Sequence, residues 1–478
     1  MLDKILELNK QGKIRKTSEI YLGEGVSLNS DNFEDFKIRK ISIPHSKRNQ
    51  HFGCIGTTRI GKSKLISHMA CQDILSGFSV GIFDPKGDEE LLSYIISACV
   101  QAGRLEEFIF ISPIHPDFSL KINPLHYYYI MDELIYHVIA GIQTKEKFFF
   151  DVAREITTVI VSYYVLQALA KGEKKASINF FDIKQKTDYE ALQQIVENVK
   201  FYKNHSNPEV RDLAEEVIIH AEEALRSGTQ YFSEVAGSLR TVLTSLTSSV
   251  TGRIIGKAKT NEIIKKLETN QPVIFYVCTG DQVTRFTAHS IARIFVSSIQ
   301  SAVGRILLSG KKLNPPLALY FDEGDTILYW GIESLFNKGG GANLWIHFFT
   351  QSFSQMIDAI GEQKARSIID NISTWVYMRV NDNATAQYIE ESSPYRIIWK
   401  VIPSVGDAKA SFSLREEEER VVLAERVKKL KPRYYYLRYE GEFYKGIVPF
   451  MSEPFIKIQL PDVRAVSSES LENMESAG

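Results

Sequence analysis

Gly56-Thr57-Thr58-Arg59-Ile60-Gly61-Lys62-Ser63 is the stretch on which the reading of this chain turns. Its spacing is G-x-x-x-x-G-K-[ST]. It stands between an apolar tetrapeptide, Phe52 to Ile55, and a segment that sets Ile66, Ala70 and Ile74 on one helical face. A strand, a glycine-bearing turn and a helix in that order let backbone N–H groups surround a phosphate at a helix N-terminus. Gly56, Thr57, Thr58, Arg59, Ile60 and Gly61 then form the cradle, Lys62 neutralises the β- and γ-phosphates, and Ser63 is the candidate ligand for Mg²⁺. The expected cofactors are therefore ATP and Mg²⁺. A chance match in a turn is the competing explanation, and the flanking strand and helix weigh against it.

Further along, Leu317-Ala318-Leu319-Tyr320-Phe321 is an apolar strand that ends in Asp322 and Glu323. At the carboxyl edge of a parallel sheet, Asp322 is suited to hold Mg²⁺ through its water shell and Glu323 to polarise the water that attacks the γ-phosphate. Acids that merely end a buried strand are common; paired with the phosphate loop, these two are read as functional. Thr350-Gln351-Ser352 ends another strand, where Gln351 is placed to hydrogen-bond the γ-phosphate or the water. Phe83-Asp84-Pro85-Lys86-Gly87-Asp88 follows a third and reads as a turn with proline and glycine in their usual roles.

Strands are expected at Phe52 to Ile55, Phe78 to Phe83, Phe108 to Ile111, Val273 to Cys278, Leu317 to Phe321, Leu344 to Phe349 and Trp375 to Val380. Many are apolar on consecutive residues, as strands covered on both faces must be. The fold class is α/β, with a mainly parallel sheet interrupted by an all-α unit. Residues 1–50 form a polar lead-in, 51–124 the first part of the nucleotide-binding domain and 125–250 the helical insertion. Residues 251–460 are its second part, closed by a hairpin around Glu440-Gly441, and 461–478 a tail expected to be disordered, most clearly from Ser467 to Gly478.

Lys and Arg number 57 against 58 Asp and Glu over 478 residues, a formal charge of -1, so the chain is not a bulk basic coat for nucleic acid. Cys54, Cys71, Cys99 and Cys278 form no CxxC pair and give no zinc-site spacing. Ile156 to Ala170, the longest helix-like uncharged run, is shorter than the ~20 residues a bilayer needs and reads as a buried helix.

Taken together, GTTRIGKS at 56–63, FDPKGD at 83–88, INPL at 122–125, LALYFDEGD at 317–325, TQS at 350–352 and the DNIS to MRVND stretch at 370–382 resemble the TraD/TraG-type conjugative coupling proteins. These are the DNA-transfer ATPases of type IV secretion within the FtsK/HerA motor superfamily, and the closest look is to the TraD of integrative conjugative elements. The resemblance implies a RecA-like P-loop ATPase with its all-α unit at the mouth of a ring. It also implies a hexamer, and as partners DNA, a relaxase or relaxosome and the channel components. An arginine supplied in trans is implied too, with Arg379 and Arg366 as candidates. Family members usually begin with two transmembrane helices, and this chain is expected to have none, which suggests a cytoplasmic protein peripheral at the inner membrane. Two other readings are compatible with the same motifs: a double-stranded DNA translocase of FtsK/HerA type, and a non-pumping receptor switched by nucleotide.

Overall fold

Consecutive apolar residues become the interior strands of one large sheet. The computed structural model describes residues 2–28, 37–142, 147–226, 228–406 and 409–461, so the tail expected from Ser467 to Gly478 lies outside the described residues. In chain order the strands are β1 (Glu19–Ser27), β2 (Arg39–Pro44), β3 (Phe52–Ile55), β4 (Ser79–Asp84), β5 (Phe108–Ile111), β6 (Ile274–Cys278), β7 (Leu317–Phe321), β8 (Leu344–Thr350) and β9 (Thr374–Tyr377). β10 (Tyr395–Gly406), β11 (Lys409–Arg420), β12 (Tyr434–Tyr439) and β13 (Glu442–Ile447) follow. Eleven of them form a sheet in the order β2-β1-β13-β12-β9-β3-β8-β7-β4-β6-β5, while β10 and β11 pair only with each other.

From β9 to β5 every neighbouring pair is parallel. β12, β13, β1 and β2 extend the sheet antiparallel beyond β9. The carboxyl ends of the parallel strands therefore share one edge, where crevices for ligands arise in open α/β sheets. Alternate residues of each strand enter opposite cores. Ala318 and Tyr320 join the helices Lys62–Ser76 and Glu89–Ala102 on one face. Leu317, Leu319 and Phe321 join the helix Phe286–Leu308 on the other.

That last helix is long and apolar enough to cross a membrane by length and composition, yet 67% of its most apolar window is buried inside the protein. It is the central core helix of its face, and Met131–Ala140 packs along it, with His137 Nδ1 hydrogen-bonded to Ser297 Oγ at 2.9 Å. One apolar cluster runs from Ile160 and Leu192, on the helices between Met131 and Thr251, to Phe275 and Leu319 on the sheet. Asn207 caps the helix Pro208–Leu225 by accepting the Glu209 N–H, with Pro208 at the first helical position. Towards the end of the helical insertion the chain forms two consecutive helices, Thr229–Val235 and Gly237–Thr247.

Three differences from the sequence reading have physical causes. The first fifty residues are not merely a polar lead-in, because β1 and β2 are strands of the main sheet. β2 is the edge strand and β1 is paired on both sides, and both mix buried with exposed residues as an antiparallel extension with one solvated face does. Arg48 is buried there and grips Asp73 of the phosphate-loop helix through two bonds of 2.5 and 2.7 Å. Secondly, β9 stops at Tyr377 instead of Val380, since the next residues turn to follow the phosphate loop: the Met378 N–H donates to Ile55 O and the Arg379 carbonyl accepts from Thr57 N–H. Thirdly, β10 and β11 were hidden behind a run of charges, Arg415 to Arg420, that resembles a solvated segment more than a strand.

Candidate active site

The phosphate loop is shaped by backbone. Gly61 has φ +116°, in the left-handed region that favours glycine, and the helix Lys62–Ser76 starts directly after it. Behind the loop, the Arg433 N–H donates to Ile60 O at 2.8 Å and the Gly56 N–H to Thr350 O at 3.1 Å. Lys62 is buried and its ammonium donates to the carbonyls of Gly56 and Thr57 at 2.5 and 3.0 Å. Burial lowers its pKa from the ordinary lysine value. The Thr57 hydroxyl is buried and has no hydrogen-bond partner among the described residues. An exposed Thr58 and Arg59 form the outer lip. The N–H groups of Gly56 and Thr57 are taken by Thr350 O and Arg379 O, so the helix N-terminus after Gly61, the Lys62 cation and the unused Thr57 hydroxyl are the donors suited to a polyphosphate.

β7 lies two strands from β3, with β8 between them. Asp322 is buried at its tip, and its N–H is held by Phe83 O of β4. Glu323 follows with φ +51°, a left-handed conformation uncommon for a non-glycine residue, which turns the chain sharply off the sheet. Burial raises the Glu323 pKa from the ordinary glutamate value against the pull of Lys86, and Asp322 and Asp281 add to the rise.

The side chain that answers this charge is one the sequence reading left in a turn. Lys86 places its ammonium 3.1 Å from Asp322 Oδ2 and 2.9 Å from Glu323 Oε1. Burial works against its charge, but the two carboxylates outweigh burial and hold its pKa above the ordinary lysine value. The turn is built for this placement. Buried Asp84 accepts the N–H groups of Lys86 and Asp88 at 2.9 and 2.6 Å and the Tyr276 hydroxyl at 2.6 Å. Burial nonetheless pushes the Asp84 pKa up to about 6. Asp88 in turn caps the helix Glu89–Ala102. The only hint in sequence was Asp84-Pro85-Lys86-Gly87 at a strand tip; that β4 lies beside β7 is a fact of topology.

Gln351 stands just beyond β8, between the phosphate loop and the acids. Its neighbour Thr350 donates to Asp325 Oδ1 at 2.9 Å, which ties the β8 tip to the loop after Glu323. Arg293 of the long helix fixes that loop from below by donating to Thr326 O at 3.0 Å. Burial lowers the Arg293 pKa to about 10. Of the two arginines, Arg379 is half-buried at its own phosphate loop, its carbonyl accepting the Thr57 N–H at 2.8 Å. Arg366 is exposed on the helix Glu362–Asn371 and pairs with Glu362 at 2.8 Å. Lys62, Ser63, Asp322, Glu323 and Gln351 thus share the carboxyl edge of the sheet, and Arg366 lines a cavity with Ser354, Asp370 and Thr385. Among the described residues no three His, Cys, Asp or Glu side chains form a ready metal cage. Mg²⁺ is held by one or two protein oxygens together with phosphates and water. Ser63 and Asp322 are the residues here that supply such oxygens.

Residues 316–432 match the family model described as the TraM recognition site of TraD and TraG. Asp322, Glu323, Gln351, Arg366 and Arg379 all fall within it. The whole fold is similar to that of the bacterial conjugative coupling protein TrwBdeltaN70 in its unbound form. The TM-score is 0.64 and the identity 17%, over 95% of this chain and 93% of that one. The likeness to the TraD and TraG model is confined to that segment, and the likeness to TrwB is one of fold. The plasmid coupling protein TrwB in complex with ADP and Mg²⁺ gives a TM-score of 0.62 at 16% identity, over 94% of this chain and 98% of that one. VirB4 of Thermoanaerobacter pseudethanolicus gives 0.51 at 10%, over 92% and 98%. No curated protein matches by sequence. The antiparallel extension β12-β13-β1-β2 reaches the site through Arg433, just before β12, whose N–H backs the phosphate loop.

Proposed function

We propose that this chain is an ATP-driven coupling motor that recruits DNA, or a relaxase bound to DNA, and pumps it into a type IV secretion channel. The observation that carries the proposal is the convergence of the Lys62 loop and the Asp322-Glu323 pair on one sheet edge, with Lys86 between the acids. Lys62 and the loop N–H groups bind the β- and γ-phosphates of ATP, and Gln351 orients the terminal phosphate or the attacking water. Glu323 accepts hydrogen bonding from that water and polarises it. Ser63 and Asp322 would hold Mg²⁺, which when bound supplies positive charge to the phosphate oxygens. TrwB, similar in fold, is described with an ATP analogue and with ADP and Mg²⁺, which supports this choice of ligands.

Within this reading the chain works as a ring, with a hexamer as the expected size, at the cytoplasmic side of the inner membrane. Relaxosome and channel components are its partners. The trans cation is Arg379 or Arg366, and alanine at each distinguishes them. The deciding experiment is steady-state ATP hydrolysis with and without single- and double-stranded DNA. Turnover that DNA stimulates and Glu323→Gln abolishes is expected. ATP binding without turnover would leave a nucleotide-switched receptor, and stimulation by duplex alone a double-stranded DNA translocase.

A further inference from the structure

β10 and β11 form a ribbon of 12 residues per strand, roughly 40 Å long at ~3.3 Å per residue. The register pairs Tyr395 with Arg420, Ile397 with Glu418, Trp399 with Glu416 and Val401 with Leu414. Directly paired residues share a face. One face therefore carries Tyr395, Ile397, Trp399, Val401 and Leu414 beside Glu416 and Glu418. All five apolar side chains are exposed, Trp399 at 63%. The opposite face neutralises itself, with Arg396 paired to Glu419 at 3.3 Å and Lys400 to Glu417 at 2.7 Å. On the apolar face Arg420 lies over the Tyr395 ring at 3.8 Å, while Glu416 and Glu418 have no cation partner among the described residues. A two-stranded ribbon is marginal by itself in water, and a contiguous apolar row on one is the mark of an interaction surface.

A second surface of the same chain has the complementary chemistry. Arg426, Lys429, Lys431 and Lys445 line a groove of about 410 Å³ with Tyr434 and Tyr436, and no carboxylate lines it. Arg426 and Lys429 have acidic neighbours of their own, Glu419 and Glu425. Lys431 and Lys445 have none among the described residues.

We propose that the apolar, acidic face of the β10–β11 ribbon of one copy docks in the basic, aromatic groove of a second copy of this chain. Trp399 packs against the tyrosines, and Glu416 and Glu418 meet Lys431 and Lys445. Aromatic anchors inside a charged rim are the composition of specific interfaces. Within one copy the two surfaces do not satisfy each other, since the ribbon face stays exposed. Ribbon-to-groove contact is head-to-tail, so it propagates from copy to copy and closes into a ring where the rotation allows. This inference stands apart from the hydrolysis proposed above, because its readout is assembly.

The test mixes a Val401→Cys chain with a Lys429→Cys chain and adds a short bismaleimide; the native cysteines are buried or half-buried. A covalent dimer formed in the mixture and in neither variant alone is expected. In sedimentation, Glu416→Lys with Glu418→Lys should weaken self-association about tenfold or more, as should Lys431→Glu with Lys445→Glu, and mixing the two reversed chains should restore it. All four positions are exposed, and unchanged urea midpoints verify folding. The inference is overturned by a wild-type chain that stays monomeric at tens of micromolar, by absence of the mixed dimer, or by assembly indifferent to both reversals. Reversal of the groove that spares assembly but weakens binding of a labelled oligonucleotide overturns it too, and assigns the groove to nucleic acid.

Discussion

Between Asp322 and Glu323, one ammonium governs how much negative charge the tip of β7 can carry. A buried carboxylate beside a half-buried one resists joint ionisation, and Lys86 lies within 3.1 Å of both. Lys86→Met should therefore lower kcat about tenfold to a hundredfold with KM for ATP nearly unchanged, because general-base work depends on the charge and aim of Glu323; Lys86→Arg should recover part of the loss. Steady-state kinetics on the three chains check this, and an unchanged kcat in Lys86→Met would remove Lys86 from the machinery. Glu323→Gln should bind ATP as wild type yet turn over about a hundredfold more slowly, whereas Lys62→Ala should fail at binding. Fluorescent-nucleotide titration separates the two. Gly56 to Ser63 were readable from sequence because their function is carried by consecutive backbone groups. Lys86 was not, because its partner is 236 positions away and only the pairing of β4 with β7 brings them together.

At the scale of elements, the sheet is held to its register by close approaches that leave no room for change. A Cβ on Gly53 of β3 would fall 2.4 Å from the Trp375 ring of β9, so Gly53→Ala should cost about 1–3 kcal/mol through overpacking, visible as a lower urea midpoint. An unshifted midpoint would mean that Trp375 relaxes freely. At the start of β3, buried His51 hydrogen-bonds Phe336 O through Nε2 at 2.8 Å and the Ile346 N–H through Nδ1 at 3.2 Å. The carbonyl fixes the proton on Nε2, so Nδ1 accepts and has no place for a second proton. Burial lowers its pKa from 6.5 to about 4. An unfolded chain takes up that proton near pH 6.5 and the folded one only near 4, so stability is full above the first value and falls towards the second, by about 3 kcal/mol for this group. Urea midpoints should drop between pH 7 and 5, and His51→Asn should flatten that slope while lowering the value at pH 7. An equal slope in both would exclude His51 as the titrating group. The parallel strands were legible because burial on both faces makes them uniformly apolar. β1, β2, β10 and β11 were not, because an antiparallel extension with one open face or a lone ribbon keeps that face for charge.

For the whole molecule, the same charge balance has two consequences. A formal net charge of -1 over 478 residues leaves copies free to approach without strong mutual repulsion, while basic residues gathered on one surface can still meet phosphates. If hydrolysis passes from subunit to subunit, one stalled site should interrupt its neighbours. Glu323→Gln chains mixed into wild type should then depress ATPase more steeply than their mole fraction. Steepness should follow assembly, so Glu416→Lys with Glu418→Lys in the poisoning subunit, which weakens its entry into the ring, should return the loss towards proportionality. Raising salt should suppress the DNA-stimulated part of the activity before the basal part, since exposed contacts to phosphate are screened first. A strictly linear loss on mixing, together with full activity in a sedimenting monomer, would leave each chain as an independent nucleotide switch. Cooperative loss that persists with the ribbon charges reversed would keep the ring and move its contacts elsewhere, to the sheet edge where Lys62, Lys86 and Glu323 meet.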